Sequence, residues 1–164
     1  MIAALIMAQA ISQSAILPIQ FLRMCATQPA AHCELERPLT REDIAWLNFA
    51  INQGLPPAGE DARLDRWTIF PDGPASCADY AVSKRAALIA LGFPPSALTL
   101  VIGTAERGGV DRPHIVLEAS LNGETLILDN LELKNLYGPH TRPRPWQEIA
   151  RESHSGLPWI QALP

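Results

Sequence analysis

Residues 114–131 read His114-Ile-Val-Leu-Glu-Ala-Ser-Leu-Asn-Gly-Glu-Thr-Leu-Ile-Leu-Asp-Asn-Leu131. Two β-prone runs flank Asn122-Gly123, the dipeptide that most favours a two-residue hairpin turn. A two-residue loop fixes the register, so Leu121 faces Glu124, Val116 faces Asp129 and His114 faces Leu131. Side chains two apart along a strand share a face. His114, Val116 and Asp129 are therefore expected on one side of the sheet, with His114 and Asp129 as diagonal neighbours. Diagonal partners lie roughly 7–8 Å apart at most, within reach of longer side chains.

Upstream, Thr40 caps a helix over 40–54, in which Ile44, Leu47 and Ile51 recur at helical spacing and Gly54 with Pro56-Pro57 ends the run. Ser76 caps a second helix from Cys77 to Leu91, stopped by Gly92. Leu98–Ile102 is a short strand candidate, Glu106–Pro113 reads as a polar loop, and His114 then begins the next strand. Residues 132–164 show no strong periodicity. Trp46, Trp67, Trp146 and Trp159 are expected to serve packing.

The sequence has 164 residues, 48% hydrophobic and 18% charged, with 13 basic and 17 acidic side chains and a net charge of -4. That composition suits one folded domain, assigned to 21–164. No basic patch is present to neutralise phosphates, so nucleic-acid binding is not expected. No apolar run approaches the roughly 18–20 residues of a membrane span, so direct membrane insertion is not expected either. Residues 1–20 read as a secretory signal, with Ala8-Gln9-Ala10 at the cleavage pattern, or as a frayed N-terminus, since no basic residue precedes Arg23.

Three cysteines are present. Cys25 and Cys33, eight apart with Pro29 between them, suit a small disulfide loop in an oxidising compartment or two buried thiols in a reducing one. Cys77 is left over. At a helix start, orphan N–H groups and the macrodipole favour a thiolate, which is the nucleophilic form of cysteine. The hairpin supplies the other half of a triad, His114 as base and Asp129 as the carboxylate that orients it. Buried cysteines are commonly inert, and an isolated histidine at a strand end is commonly just solvated. The register is what binds two of the three residues together.

These pieces resemble the bacterial transglutaminase-like cysteine peptidases, the LapG-type periplasmic adhesin-processing proteases among them. The matching stretches are Cys77-Ala-Asp-Tyr-Ala-Val-Ser-Lys84, Leu91-Gly92, His114-Ile-Val-Leu117 and Leu128-Asp-Asn-Leu131. Trp46-Leu-Asn48, Asn52, Asp65-Arg-Trp67 and the Cys25…Pro29…Cys33 segment add to them. The resemblance implies an α+β, papain-like and transglutaminase-like fold, with the nucleophile-bearing helix packed on an antiparallel sheet. It implies catalysis by Cys77, His114 and Asp129 through an acyl-enzyme on a protein substrate, in the periplasm or outside the cell. If the N-terminus is not a signal, the expected place is the cytoplasm. A membrane-bound regulatory protein is the second partner it allows. Acyl transfer to an amine, or a catalytically inactive binding module of the same fold, are the rival readings.

Adhesin-releasing members carry acidic residues on both sides of the cysteine that help bind calcium. Here Ser76 and Ala78 stand at two of those places, leaving Asp79 alone. Calcium favours several oxygen ligands, so no cofactor is expected, with calcium the one the family brings.

Overall fold

The computed structural model describes residues 19–59, 67–133, 135–153 and 159–161. Among the described residues, three α-helices and five strands follow in the order α1 (Ile19–Thr27), α2 (Arg41–Gly54), α3 (Cys77–Ala90), β1 (Leu98–Arg107), β2 (Val110–Leu121), β3 (Glu124–Leu128), β4 (Trp146–Glu152) and β5 (Trp159–Gln161). The strands form one antiparallel sheet in the order β3-β2-β1-β4-β5.

The central hairpin holds the expected register. Leu121 pairs with Glu124 and Leu117 with Leu128, across a turn in which Asn122 and Gly123 both take positive φ, 51° and 84°. That left-handed pair is what a twist-matched two-residue turn requires. The ladder stops at Leu128, so β2 has no β3 partner beside His114, and the chain leaves the sheet there into Asp129.

The segment before it departs from expectation. Glu106–Pro113 is no loop: β1 runs on to Arg107, β2 begins at Val110, and Gly108-Gly109 alone make the turn. His114 therefore lies inside β2, opposite Gly103, and does not begin the strand. The physical reason is the glycine pair itself, whose φ values of 62° and 80° form a second tight hairpin and carry polar strand ends out into solvent. α1, β4 and β5 were also not expected. β4 pairs with the edge of β1 and β5 with β4, where cross-strand hydrogen bonds give the order that their sequences do not announce.

The helices lie over one face of the sheet. Ile115, Leu117 and Ala119 of β2, with Leu126 and Leu128 of β3, enter a core shared with Leu22, Ile44, Leu47, Ile51, Leu88 and Leu91. Burying each such side chain contributes on the order of 1.5–3 kcal/mol. The alternate residues Val101, Val116 and Ile127 form a smaller cluster on the other face with Tyr137, against which Trp146 packs. Gly103 is required beneath that cover, because a Cβ there would meet Trp146 Cζ2 and the Gln147 carbonyl at 2.5 Å.

Both major helices start with reciprocal capping boxes, Thr40 with Asp43 and Ser76 with Asp79. Cys25 and Cys33 form a disulfide that ties α1 to the segment after it. Among the tryptophans, Trp146 packs, whereas Trp46 and Trp67 stand partly in solvent. The side chain of Trp159 lies outside the described residues, as does most of the N-terminal segment 1–20.

Candidate active site

His114 is fully buried. Its Nε2 lies 2.7 Å from Asp129 Oδ1, so the two hairpin residues meet as the register predicts. Asp129 is fastened on every side. Its Oδ2 accepts from the Tyr137 hydroxyl at 2.6 Å, its Oδ1 also accepts from the Leu131 N–H at 2.9 Å, and its backbone carbonyl accepts from Asn52 Nδ2 at 2.9 Å. Strand β2, the exit from β3 and helix α2 thus converge on one residue, the first two at its carboxylate and α2 at its backbone carbonyl. The ring of Trp146 stands edge-on to the imidazole, with centroids 6.2 Å apart.

Cys77 is the first residue of α3, is 8% exposed and is the free cysteine among the described residues. The Ser76 side chain accepts from the Asp79 N–H. The earlier amides of that turn, at Cys77 and Ala78, have no carbonyl a turn behind them in the helix. Burial disfavours the charged ring, but Asp129 and Cys77 more than offset it and push the His114 pKa up to about 9. Burial likewise works against the Asp129 carboxylate, which the bonds from His114, Tyr137 and Leu131 nevertheless hold well below the usual range. Tyr137 is pushed up, first by burial and then by the charge of Asp129, and so remains a protonated donor. With Nε2 engaged by Asp129, Nδ1 is the ring nitrogen left over, buried and without a hydrogen-bond partner.

The family model for the bacterial transglutaminase-like cysteine proteinases matches residues 11–142. The chain belongs to that family. It is a cysteine peptidase of the transglutaminase-like type, with the α+β fold the sequence implied. Calcium-bound LapG of Legionella pneumophila superposes with a TM-score of 0.61 at 22% identity, covering 98% of this chain and 86% of that one. The EGTA-treated form of the same protein gives 0.62 at 20% identity, over 92% and 89%. No curated protein sequence matches the chain.

Those two structures make calcium a question for this site. The donor chemistry beside Cys77 does not fit the ion. Asp79 Oδ1 accepts from the Thr68 N–H at 2.7 Å, and its Oδ2 accepts from the Ser76 N–H at 2.8 Å and from the Ser76 hydroxyl at 2.9 Å. The remaining carboxylate is already spent on the helix cap and the preceding loop. Ala78 offers no oxygen in its side chain. Among the described residues, no three His, Cys, Asp or Glu side chains gather as a metal set.

Sequence reasoning missed Tyr137, which it placed in a stretch without periodicity. It quoted Lys84 within the matching stretch without giving it a place in the site; the residue is wholly buried and its Nζ has no hydrogen-bond partner. The signal for Lys84 was present: it follows Cys77 and Tyr80 on the apolar stripe of α3, where a solvated lysine does not belong.

Proposed function

We propose that this peptidase hydrolyses a protein substrate through Cys77, His114 and Asp129. The observation that carries the reading is the buried His114–Asp129 pair, whose Nδ1 is left unpartnered, in a chain whose free cysteine starts α3. A histidine pushed up to about 9 holds its proton at neutral pH and can serve as the general acid; the attacking form of a cysteine is the thiolate. The thiolate attacks the scissile carbonyl carbon. The N–H of Cys77, at the positive end of α3, is the donor best placed to receive the developing oxyanion. His114 gives its proton to the leaving amine as the C–N bond breaks, and a thioester remains. His114 then takes a proton from water, the hydroxide adds to the thioester carbonyl, and the adduct breaks its C–S bond, releasing the acid product and the thiolate while the proton stays on His114. Asp129 keeps the ring oriented and offsets its charge throughout.

The substrate class and compartment proposed are those the family resemblance suggests. A surface protein processed in the periplasm is the substrate that LapG-type relatives suggest. The Cys25–Cys33 disulfide suits the oxidising conditions found there. The committed Asp79 oxygens support activity without calcium at this place.

The test is the pH dependence of Cys77 alkylation by iodoacetamide, in the wild type and in His114→Ala. The reading requires fast labelling near neutral pH that becomes slow and ordinary, with a midpoint near 8.5, once the imidazole is gone. Identical profiles in the two proteins would refute it.

A further inference from the structure

Two rings border the His114–Asp129 pair on the sheet face away from the helices. Trp146 stands edge-on to the imidazole with its centroid 6.2 Å away, and Tyr137 donates to Asp129 Oδ2 at 2.6 Å. One cation meets both rings. The Arg142 guanidinium lies over the Trp146 ring at 4.3 Å from the centroid and over the Tyr137 ring at 5.8 Å. A cation over an aromatic face is attracted by the ring quadrupole, and more strongly where water is excluded. The Arg142 side chain is only 12% exposed. Asp129, Tyr137, Arg142 and Trp146 line one small cavity, which places the guanidinium in the surroundings of the pair.

The guanidinium is itself anchored. Arg142 Nη2 lies 3.7 Å from Glu118 Oε1, and Glu118 is buried. Glu118 belongs to β2, the strand of His114, and sits an even number of residues from it, hence on the same face. Its other oxygen accepts from Arg151 Nη1 at 3.4 Å, and Arg151 is held in turn by both oxygens of Glu148. The anchor is therefore fixed to the strand that carries the imidazole. The backbone at Arg142 is stiff as well. It follows the short turn Pro139–Thr141 and precedes Pro143, and its ψ of 127° is the extended value that a following proline favours.

We propose that Arg142 is a positioning residue, whose guanidinium, pinned by Glu118, clamps Trp146 and Tyr137 against the His114–Asp129 pair and keeps water from the bond between them. The catalytic meaning of that pair rests on the triad reading above. Arg142 acts through the two rings and not on the substrate. An ionised carboxylate only accepts, so the proton of the 2.7 Å bond to Asp129 Oδ1 belongs to His114 Nε2. Loosening the clamp exposes that proton to solvent.

The experiment reads the Nε2 proton by NMR in protein carrying isotope-labelled histidine, through its rate of exchange with water. Arg142→Met keeps the length of the side chain and removes its charge and flat face. Exchange in that variant is expected about tenfold faster than in the wild type. Glu118→Gln leaves the arginine in place but takes away the charge that pins it, and exchange is expected to quicken by a smaller factor. Arg142→Lys restores the charge without the planar face, and its rate is expected between those of the wild type and Arg142→Met. An arginine that only stabilised the fold would lower the urea midpoint and leave this proton, followed without denaturant, exchanging at the wild-type rate. That result in Arg142→Met overturns the proposal. If Arg142→Met does not fold, Glu118→Gln decides alone by the same measure. The His114→Ala labelling experiment reports on Cys77 and does not involve this proton, so failure of the triad reading and failure of this proposal are distinguishable.

Discussion

At the scale of single residues, the carboxylate of Asp129 is the point on which the site turns. It accepts from a tyrosine, a backbone amide and an imidazole at once. Removing the tyrosine hydroxyl leaves a buried charged acceptor short of a donor, at a cost of about 1–2 kcal/mol. Tyr137→Phe is therefore expected to lower the urea midpoint and to shift the His114 titration, measured by denaturation and by NMR. Cys77→Ala is expected to abolish cleavage while leaving the thermal midpoint within a few degrees of wild type, because little core volume is lost. Cleavage at the wild-type rate by that variant would refute the nucleophile. The pH dependence of stability has three parts with different signs. His114, raised from 6.5 to about 9, stabilises the fold fully below pH 6.5, and that contribution disappears as pH climbs through 9. Asp129, held low, stabilises the fold above its ordinary range of 3.8, and the contribution disappears in acid. Lys84, lowered from 10.5 to about 7, penalises the folded state increasingly as pH falls from 10.5 to 7, and constantly below that. Lys84→Met should therefore raise stability most in acid and hardly at all above pH 10.5, as read by urea melts at several pH values.

At the scale of elements, the hairpin turn and the two capped helices were legible because their signals are local. Asn122-Gly123 fixes a register by backbone conformation alone, and Ser76 with Asp79 closes a capping box within four residues. The meeting of His114 with Asp129 followed from that register, even though Asp129 lies past the last paired residue of β3. The Gly108-Gly109 hairpin was equally local and was missed because its flanks, Glu106-Arg107 and Asp111-Arg112, are polar, and polarity was read as loop. β4 was illegible for a different reason. Its residues Trp146–Glu152 alternate only weakly in burial, and its place is set by pairing with β1 and by Trp146 closing over Gly103. That close approach makes a further prediction. Gly103→Ala drives a methyl into the Gln147 carbonyl and the Trp146 ring. A shift of strand or indole follows, at about 1–3 kcal/mol, seen as a lower melting temperature and a disturbed tryptophan fluorescence. The position of Cys77 relative to the hairpin had no local signal at all, since it depends on how α3 docks on the sheet.

At the scale of the whole molecule, the chain is held by a helix-side core, a smaller cluster on the far face of the sheet and one covalent staple. The staple closes a short loop, so the unfolded chain loses little freedom by it. Reduction of Cys25–Cys33 is expected to cost about 2–3 kcal/mol, checked by comparing thermal melts with and without reductant. Treatment with EGTA is expected to leave both the melt and the rate of substrate cleavage unchanged, since Asp79 is occupied by Ser76 and Thr68. Loss of activity on chelation, restored by calcium, would show that oxygens elsewhere hold the ion.

The imidazole and its carboxylate are only fifteen residues apart and are joined by a tight turn, whereas the sulfur arrives on a separate helix. Half of the proposed machinery thus sits on one hairpin, and the other half rides on the layer above it. Gentle heating that lifts this layer should silence the enzyme while the hairpin persists. Inactivation would then run ahead of the loss of β-sheet signal, and cooling would restore both.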